Sequence, residues 1–168
     1  YSPISKTMVK KLKKVNHKGV IISNPFDLQT YNWNDPASLR KTFDLMFKAN
    51  FNFIGLMLDF PNIRDCDIAE WEAIVDEYIL SAKAKNNKAV IIASLPETLP
   101  KHIRDKCLES GIVPLQGLKE SIYAINFSIL TGQAWSNFNT LKFIKLKNRK
   151  NTLIKNYLRF FTKIRLFK

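Results

Sequence analysis

The sequence is poor in the residues that build common cofactor and metal sites. It has only five glycines among 168 residues, and neither a GxGxxG nor a GxxxxGK[ST] phosphate-binding segment occurs. Its two cysteines and two histidines do not cluster at the spacing of a zinc site. We therefore expect no cofactor and no metal to be bound by this chain alone.

Long apolar segments are also missing. No run of about 18 uncharged apolar residues occurs, which argues against a membrane-spanning helix, and the lysine-rich stretch before Asn24 does not resemble a secretory signal. Cys66 and Cys107 are too few for a disulfide framework, which favours a cytoplasmic location. Neither His17 nor His102 lies in a triad-like pattern, so we interpret both cysteines as structural.

Positive charge is distributed unequally along the chain. Residues 1–135 hold 17 basic and 14 acidic residues, a balance of +3, whereas residues 136–168 hold 10 basic residues and no acidic one, a balance of +10. The sequence therefore predicts an ordinary domain over 1–135 followed by a basic tail over 136–168.

Apolar periodicity predicts alternating helices and strands in the domain. Helices are expected over 4–15, from Pro36 onward, and over 68–85, 100–109 and 118–130, with strands over 20–22, 53–58, 89–93 and 112–113. The run 53–58 is apolar on both faces, as in a central strand covered by helices on both sides. This order predicts an α/β fold with a flavodoxin-like, doubly wound parallel sheet.

Ligands of such folds bind at the carboxyl ends of the strands, where the sequence places the loops 24–33, 59–67, 94–99 and 114–117. The candidate wall of a substrate site comprises Asn24, Asp27, Gln29, Tyr31 and Asp59. Two structural alternatives stay open. Asn24 and Asp27 are also suited to close an Asx-type turn, and Asp59 to cap the turn at Pro61.

Four stretches resemble the ADP-forming acetate–CoA ligase family, also called NDP-forming acyl-CoA synthetases. The first, Asn24 to Asp35, follows the pattern NPxDxxTxxWxD. The others are 56–61 with the Arg64-Asp65-Cys66-Asp67 segment and Trp71, 93–97 with Leu99-Pro100, and 111–118. They occur in the family's order and cover roughly residues 4–135.

The resemblance implies a flavodoxin-like ligase domain related to one of succinyl-CoA synthetase. The complete enzyme would convert a small carboxylic acid, CoA and ATP, with Mg²⁺, to acyl-CoA, ADP and phosphate through an acyl phosphate and a phosphohistidine. CoA-binding and ATP-grasp modules, which this chain lacks, would be its partners. A further first strand and a glycine-rich loop precede the first helix in the family and are missing here. We therefore expect an incomplete ligase domain, inactive alone.

The basic tail does not match the family, and its origin leaves two interpretations open. The loss of every acidic residue where the resemblance stops favours accidental sequence from a shifted reading frame. Alternatively, apolar residues from Leu153 to Ile164 form one stripe of a basic amphipathic helix. The alternative function is then a non-catalytic or vestigial protein whose tail binds anionic membrane or RNA.

Overall fold

The structure is a computed structural model that describes residues 2–49, 51–63, 66–85 and 88–138. Its helices are α1 (Lys6–Val15), α2 (Pro36–Phe47), α3 (Ala69–Lys85), α4 (Lys101–Glu109) and α5 (Leu118–Phe138), and its strands are β1 (Ile54–Met57), β2 (Ala89–Ala93) and β3 (Val113–Gln116). A short 3₁₀ turn, Pro96–Thr98, follows β2. Helices and strands alternate from α2 onward, which confirms the predicted α/β class.

Several predicted features lie outside the described residues. They are the Arg64-Asp65 part of the family-like segment, the expected end of the third helix at residues 86–87, and the tail from residue 139 onward. The chain divides after Ser128, within α5. Of the second part, the described residues 129–138 continue that helix.

All described strands run parallel, in the spatial order β1-β2-β3. Leu56 of β1 lies opposite Ile91 of β2, and Ile91 lies opposite Pro114 of β3. β2 is therefore the central strand of the described sheet, hydrogen-bonded to β1 on one side and to β3 on the other.

The core lies between one face of this sheet and the helices α2, α3 and α4. Leu56 and Ile91 face these helices and are at most 9% exposed. The helical side chains that pack in the same cluster are Leu39, Phe43, Phe47, Ile74, Val75, Tyr78, Ile79, Ala82, Ile103 and Cys107. Burial of such large apolar side chains stabilises a fold by about 1.5–3 kcal/mol each.

The other face of the sheet is only partly covered, contrary to the prediction for the run 53–58. Met57 is 53% exposed and Val113 is 50% exposed. Both side chains are apolar and lie on the sheet face opposite to Leu56 and Ile91. β1 is an edge strand of the described sheet rather than a central one. The described helices therefore cover only one side of this apolar strand.

The predicted strand over residues 20–22 is wrong for the described structure. Residues 20–22 lie outside the sheet, and Ile21 is 75% exposed. The N–H group of Val20 donates to the carbonyl of His17 at 3.0 Å rather than to a strand. A strand requires a hydrogen-bonded neighbour, which the described part of the chain does not provide here.

Three other predicted boundaries shift, one of them the end of the helix expected over 118–130, which runs to Phe138. The last strand, expected at 112–113, runs from Val113 to Gln116 and so passes through Pro114, because β3 is an edge strand of the described sheet and one side of its backbone needs no N–H donor. The first helix, expected over 4–15, begins at Lys6, since the Ser5 hydroxyl accepts the hydrogen bond from the Met8 N–H group.

Local sequence features also set the ends of two further helices. Asp35 caps α2 by accepting from the Ser38 N–H group at 3.0 Å, and Pro36 occupies the first turn. The last turn of α4 is followed by Gly111 at φ 74°, a left-handed conformation that glycine adopts without a steric penalty.

A buried polar cluster fixes α1 against α2. The Asn16 side-chain oxygen accepts from the Asn32 amide at 2.8 Å and from the Thr42 hydroxyl at 3.2 Å. The Asn16 amide donates to the Leu12 carbonyl at 3.0 Å, and the Ser38 hydroxyl donates to the Val15 carbonyl at 2.7 Å. These hydrogen bonds hold three separate chain segments together, and the buried polar groups satisfy one another's hydrogen-bonding capacity.

Candidate functional site

Asp59 lies two residues beyond β1 and binds the loop that follows the neighbouring strand β2. Its Oδ1 atom accepts from the backbone N–H of Ser94 at 2.8 Å, and its Oδ2 atom accepts from the Ser94 hydroxyl at 2.7 Å. The hydroxyl of Thr98 also donates to Oδ1. Hydrogen bonds to an ionised carboxylate are stronger than neutral ones, so Asp59 anchors the 94–98 loop instead of capping the Pro61 turn.

Backbone hydrogen bonds draw the segments after the strands together. The Phe60 N–H group donates to the Thr98 carbonyl at 2.8 Å, and the Leu118 N–H group donates to the Ser94 carbonyl at 3.0 Å. The ends of all described strands thus meet in one hydrogen-bonded group. We call it the carboxyl-edge cluster and define it as Asp59, Phe60, residues 94–98 and Leu118.

The carboxylate of Asp59 is held in its charged form. Partial burial on its own would raise the pKa of Asp59, but the hydrogen bonds from Thr98 and Ser94 together outweigh it and leave the pKa below the ordinary value of 3.8. A carboxylate with several donors and a lowered pKa is a poor general base at neutral pH. Its chemistry here is that of a fixed negative charge that positions a loop.

Two tryptophans connect the carboxyl-edge cluster with the loop 24–33. The Trp71 indole N–H donates to the Asp59 carbonyl at 3.0 Å. Trp33 packs edge-to-face on Trp71, with ring centroids 5.0 Å apart. Leu28 and Trp33 also pack against the core. The predicted wall loop is therefore attached to the same edge of the sheet as Asp59.

Within that loop, Asn24, Asp27 and Gln29 make local contacts. The Asn24 amide donates to the Ser2 carbonyl at 2.8 Å, and the Asn24–Pro25 peptide bond is cis. The Asp27 carboxylate accepts from the Gln29 N–H group at 2.8 Å, which is the Asx-type turn that the sequence allowed. Gln29 has φ 51°, a left-handed conformation uncommon for residues other than glycine.

Tyr31 lies next to His17 rather than in the carboxyl-edge cluster. The two rings stack with centroids 4.2 Å apart and an angle of 19° between their planes. The His17 Nδ1 atom accepts from the Gly19 N–H group at 3.1 Å, which fixes the ring beside the end of α1. Tyr31 remains 54% exposed, so one side of the stacked pair is open to solvent.

Sequence reasoning identified Asp59 but missed the residues that bind it. Ser94 and Thr98 follow β2 directly, and β2 is the neighbour of β1. Polar residues after two adjacent parallel strands meet at one edge of the sheet. That pattern was the available signal, but it is informative only when the strands are known to be neighbours.

A histidine outside the predicted wall joins the first turns of α3 and α4. The Nε2 atom of His102 lies 2.9 Å from the Oε1 atom of Glu72. One turn further along both helices, Lys106 pairs with Asp76. Such partly exposed pairs contribute about 0–1 kcal/mol each. His102 therefore takes part in a contact between two helices.

The two cysteines have different surroundings. Cys66 is exposed, whereas Cys107 is 0% exposed in the core cluster. Burial raises the pKa of the Cys107 thiol to about 11, and the nearby Asp76 carboxylate adds to this shift against the opposing charge of Lys106. Cys107 is therefore a protonated core side chain, in line with the structural interpretation.

This difference predicts two classes of thiol reactivity. With a thiol reagent such as Ellman's reagent at neutral pH, we expect Cys66 to react in the native protein. Cys107 should react at least about 100-fold more slowly, because its reaction requires local opening of the core. The Cys66→Ser variant should lose the fast phase and keep the slow one. Equal reaction rates for both thiols in the native chain would contradict this burial.

Neither a metal centre nor a membrane span is found among the described residues. That part of the chain holds no group of three or more histidine, cysteine, aspartate or glutamate side chains suited to a metal ion. Among its helices, none combines the length and apolar character needed to cross a membrane. In comparisons with known proteins, no family model, curated protein or solved structure matches the chain.

Proposed function

We propose that the chain is a ligase-domain part of an ADP-forming acyl-CoA synthetase, an acid–thiol ligase that acts on a small carboxylic acid. The chain contributes one wall of the substrate site and is inactive alone. The observation that carries the proposal is the carboxyl-edge cluster. Segments that resemble separate stretches of this family, at Asp59, Ser94 and Leu118, are hydrogen-bonded to one another at a single edge of the sheet.

The wall loop supports the same proposal. Its family-like stretch ends at Trp33 and Asp35, and Trp33 packs on Trp71, whose indole binds the Asp59 carbonyl. In parallel α/β sheets this edge is where ligands bind. Asn24, Asp27 and Gln29 would then line the substrate from one side, with another module closing the site.

A flavodoxin-like strand order is consistent with the unpaired segment 20–22. In the flavodoxin-like strand order 2-1-3-4-5, the second strand has the first as its only neighbour. The segment 20–22 would correspond to the second strand, and it has no strand partner among the described residues. The parallel order β1-β2-β3 would correspond to the third, fourth and fifth strands.

We propose that CoA, ATP and Mg²⁺ are not resident in this chain. No glycine-rich loop follows a described strand, and the described residues offer no cluster of metal ligands. His17 stacks on Tyr31 and His102 pairs with Glu72, so neither is assigned as the phosphoryl carrier. We assign CoA, the phosphohistidine and ATP to separate modules and derive no step through them.

Fragment complementation tests the proposal. A synthetase of the family is expressed without the segment that corresponds to residues 4–135, but with everything before it and with its ATP-grasp module. The present chain is then added, together with acetate, CoA, ATP and Mg²⁺. We expect a complex by size-exclusion chromatography and formation of acyl-CoA and ADP that requires both proteins.

A variant of the substrate-site wall and a matched control test whether the wall takes part in the reaction. Asp27→Asn should lower the acyl-CoA rate by about tenfold or more, corresponding to at least about 1.4 kcal/mol of transition-state stabilisation. Glu109→Gln is the matched control, because it removes an exposed carboxylate at the end of α4, where that helix leads into β3. The proposal fails if both proteins are folded and no carboxylate-dependent ADP is released.

A further inference from the structure

The first helix carries an unusual concentration of positive charge. Residues 1–26 contain six lysines and no acidic residue. Lys6, Lys10, Lys13 and Lys14 belong to α1 and are exposed. None of them forms an ion pair with a described carboxylate, whereas ion pairs do engage Lys101 and Lys106 elsewhere.

Helical geometry gathers these lysines on one side of α1. Residues at i, i+4, i+7 and i+8 lie along one face of a helix, and this is the spacing of Lys6, Lys10, Lys13 and Lys14. Leu12, on the opposite side, is 0% exposed. We call the four lysines the α1 lysine face.

An exposed aromatic pair lies beside this face. His17 follows Lys14 by three residues, so their Cα atoms are at most about 11 Å apart. Its ring is stacked on Tyr31 and held by the Gly19 N–H group. The buried Asn16–Asn32 hydrogen bond fixes the backbone between the helix and both rings, so charge and aromatic surface are held in one rigid arrangement.

We propose that the α1 lysine face and the His17–Tyr31 pair form a binding surface for single-stranded polynucleotides. The lysines neutralise consecutive backbone phosphates, and Tyr31 stacks on a base. Complementary charge and an adjacent exposed ring are the two features that such surfaces combine.

The structure favours a polynucleotide over an anionic membrane. An amphipathic helix binds a membrane by inserting its apolar side. In α1 that side is occupied, because Leu12 is buried and the helix end is bonded to α2 through Ser38 and Thr42. The surface thus offers charge and an aromatic ring, with no free apolar stripe for insertion.

The test measures binding of the full chain to fluorescent oligouridylate and oligodeoxythymidylate by anisotropy, over about 0.05 to 0.3 M salt. The variant Lys10→Gln/Lys13→Gln/Lys14→Gln is compared with Lys41→Gln/Lys48→Gln/Lys88→Gln, which removes three exposed lysines elsewhere. The basic tail is unchanged in both. We expect only the α1 variant to bind about 10–100-fold more weakly at 0.1 M salt and to lose about 2 from its log–log salt slope.

Variants of Tyr31 distinguish base stacking from charge attraction. Tyr31→Ala should weaken binding about fivefold or more without changing the salt slope, whereas Tyr31→Phe, which keeps the ring, should bind like the original chain. Oligouridylate and oligodeoxythymidylate together show whether the ribose 2′-hydroxyl is recognised.

Two results would overturn the proposal. One is equal affinity and equal salt slope for the α1 variant and its matched control, with unchanged circular dichroism for both. The other is equally tight, lysine-dependent binding to phosphatidylserine vesicles or polyglutamate with no effect of Tyr31→Ala, since that surface would attract any polyanion.

Discussion

Asp59→Ala is expected to lower the free energy of unfolding by about 1–3 kcal/mol at pH 7, because it removes a charged acceptor from three partly buried donors. Those donors are the Ser94 N–H group and the hydroxyls of Ser94 and Thr98. Urea denaturation followed by circular dichroism measures the change. The 94–98 loop should also exchange its amide hydrogens faster in the variant.

The same variant has a predicted pH dependence. Because the folded-state pKa of Asp59 lies below its ordinary value of 3.8, the stabilisation from its ionised form is present above that value. It is lost as the pH falls through the folded-state pKa. The difference in unfolding free energy between the original chain and Asp59→Ala should therefore be largest near neutral pH and shrink below about pH 4.

Thr98→Val supplies the matched control, since it removes one donor and keeps the carboxylate. In a double-mutant cycle with Asp59→Ala, the coupling free energy should be about 1 kcal/mol or more. Additive effects at neutral pH would show that the Thr98 hydroxyl and Asp59 do not interact, and would contradict the proposed anchoring of the loop.

Tyr78→Ala is expected to lower the free energy of unfolding by about 3–5 kcal/mol through loss of core packing. Tyr78 is 1% exposed. Its ring contacts Phe43 and Phe47 at centroid distances of 5.4 Å and 5.3 Å. Removing the ring leaves a cavity between the helices α2 and α3 and the sheet.

The hydroxyl of Tyr78 has a separate role that Tyr78→Phe isolates. It lies 2.8 Å from the Ile54 carbonyl and 2.9 Å from the Val90 carbonyl, and so bridges β1 and β2. Burial raises the pKa of this hydroxyl well above its ordinary value, so it stays a donor. Tyr78→Phe should cost about 1–2 kcal/mol, measured by urea denaturation. A cost equal to that of Tyr78→Ala would mean that the ring contributes nothing beyond its hydroxyl.

Local patterns predicted the starts of α2 to α5 to within one residue and the bounds of β2, but not the end of α5. The strand 89–93 is found with its predicted bounds, and the Asp35-Pro36 signal places the start of α2. These elements depend on residues that lie close together in sequence, such as the Asp35 carboxylate and the Ser38 N–H group. Neighbours of this kind can be recognised without knowing the fold.

Strand pairing was the source of the errors in the sheet. Val20 to Ile22 have the side chains of a strand, but a strand exists only when a distant segment supplies hydrogen-bond partners. Conversely, the strand expected at 112–113 continues through Pro114, because β3 lies at the edge of the described sheet. A position at the edge or in the centre is decided by the whole sheet, not by the local sequence.

The candidate site, too, could be predicted only in part. Its position after the strands, and Asp59 within it, could be predicted because the carboxyl ends of parallel strands share one edge. The sequence did not predict that Ser94 and Thr98 bind Asp59, nor that Tyr31 stacks on His17 instead of joining them. Those partners are 14 to 39 residues apart in sequence, and only the folded chain brings them together.

The amino-acid sequence by itself determined the α/β alternation, the helix caps and the concentration of lysines near the start of the chain. The tertiary structure decided which strands are neighbours, which face of the sheet is covered, and which side of α1 remains exposed. The physical reason is the sequence separation over which each kind of interaction acts. Caps and helical periodicity act within a few residues, whereas strand pairing and burial depend on segments that meet only when the core forms.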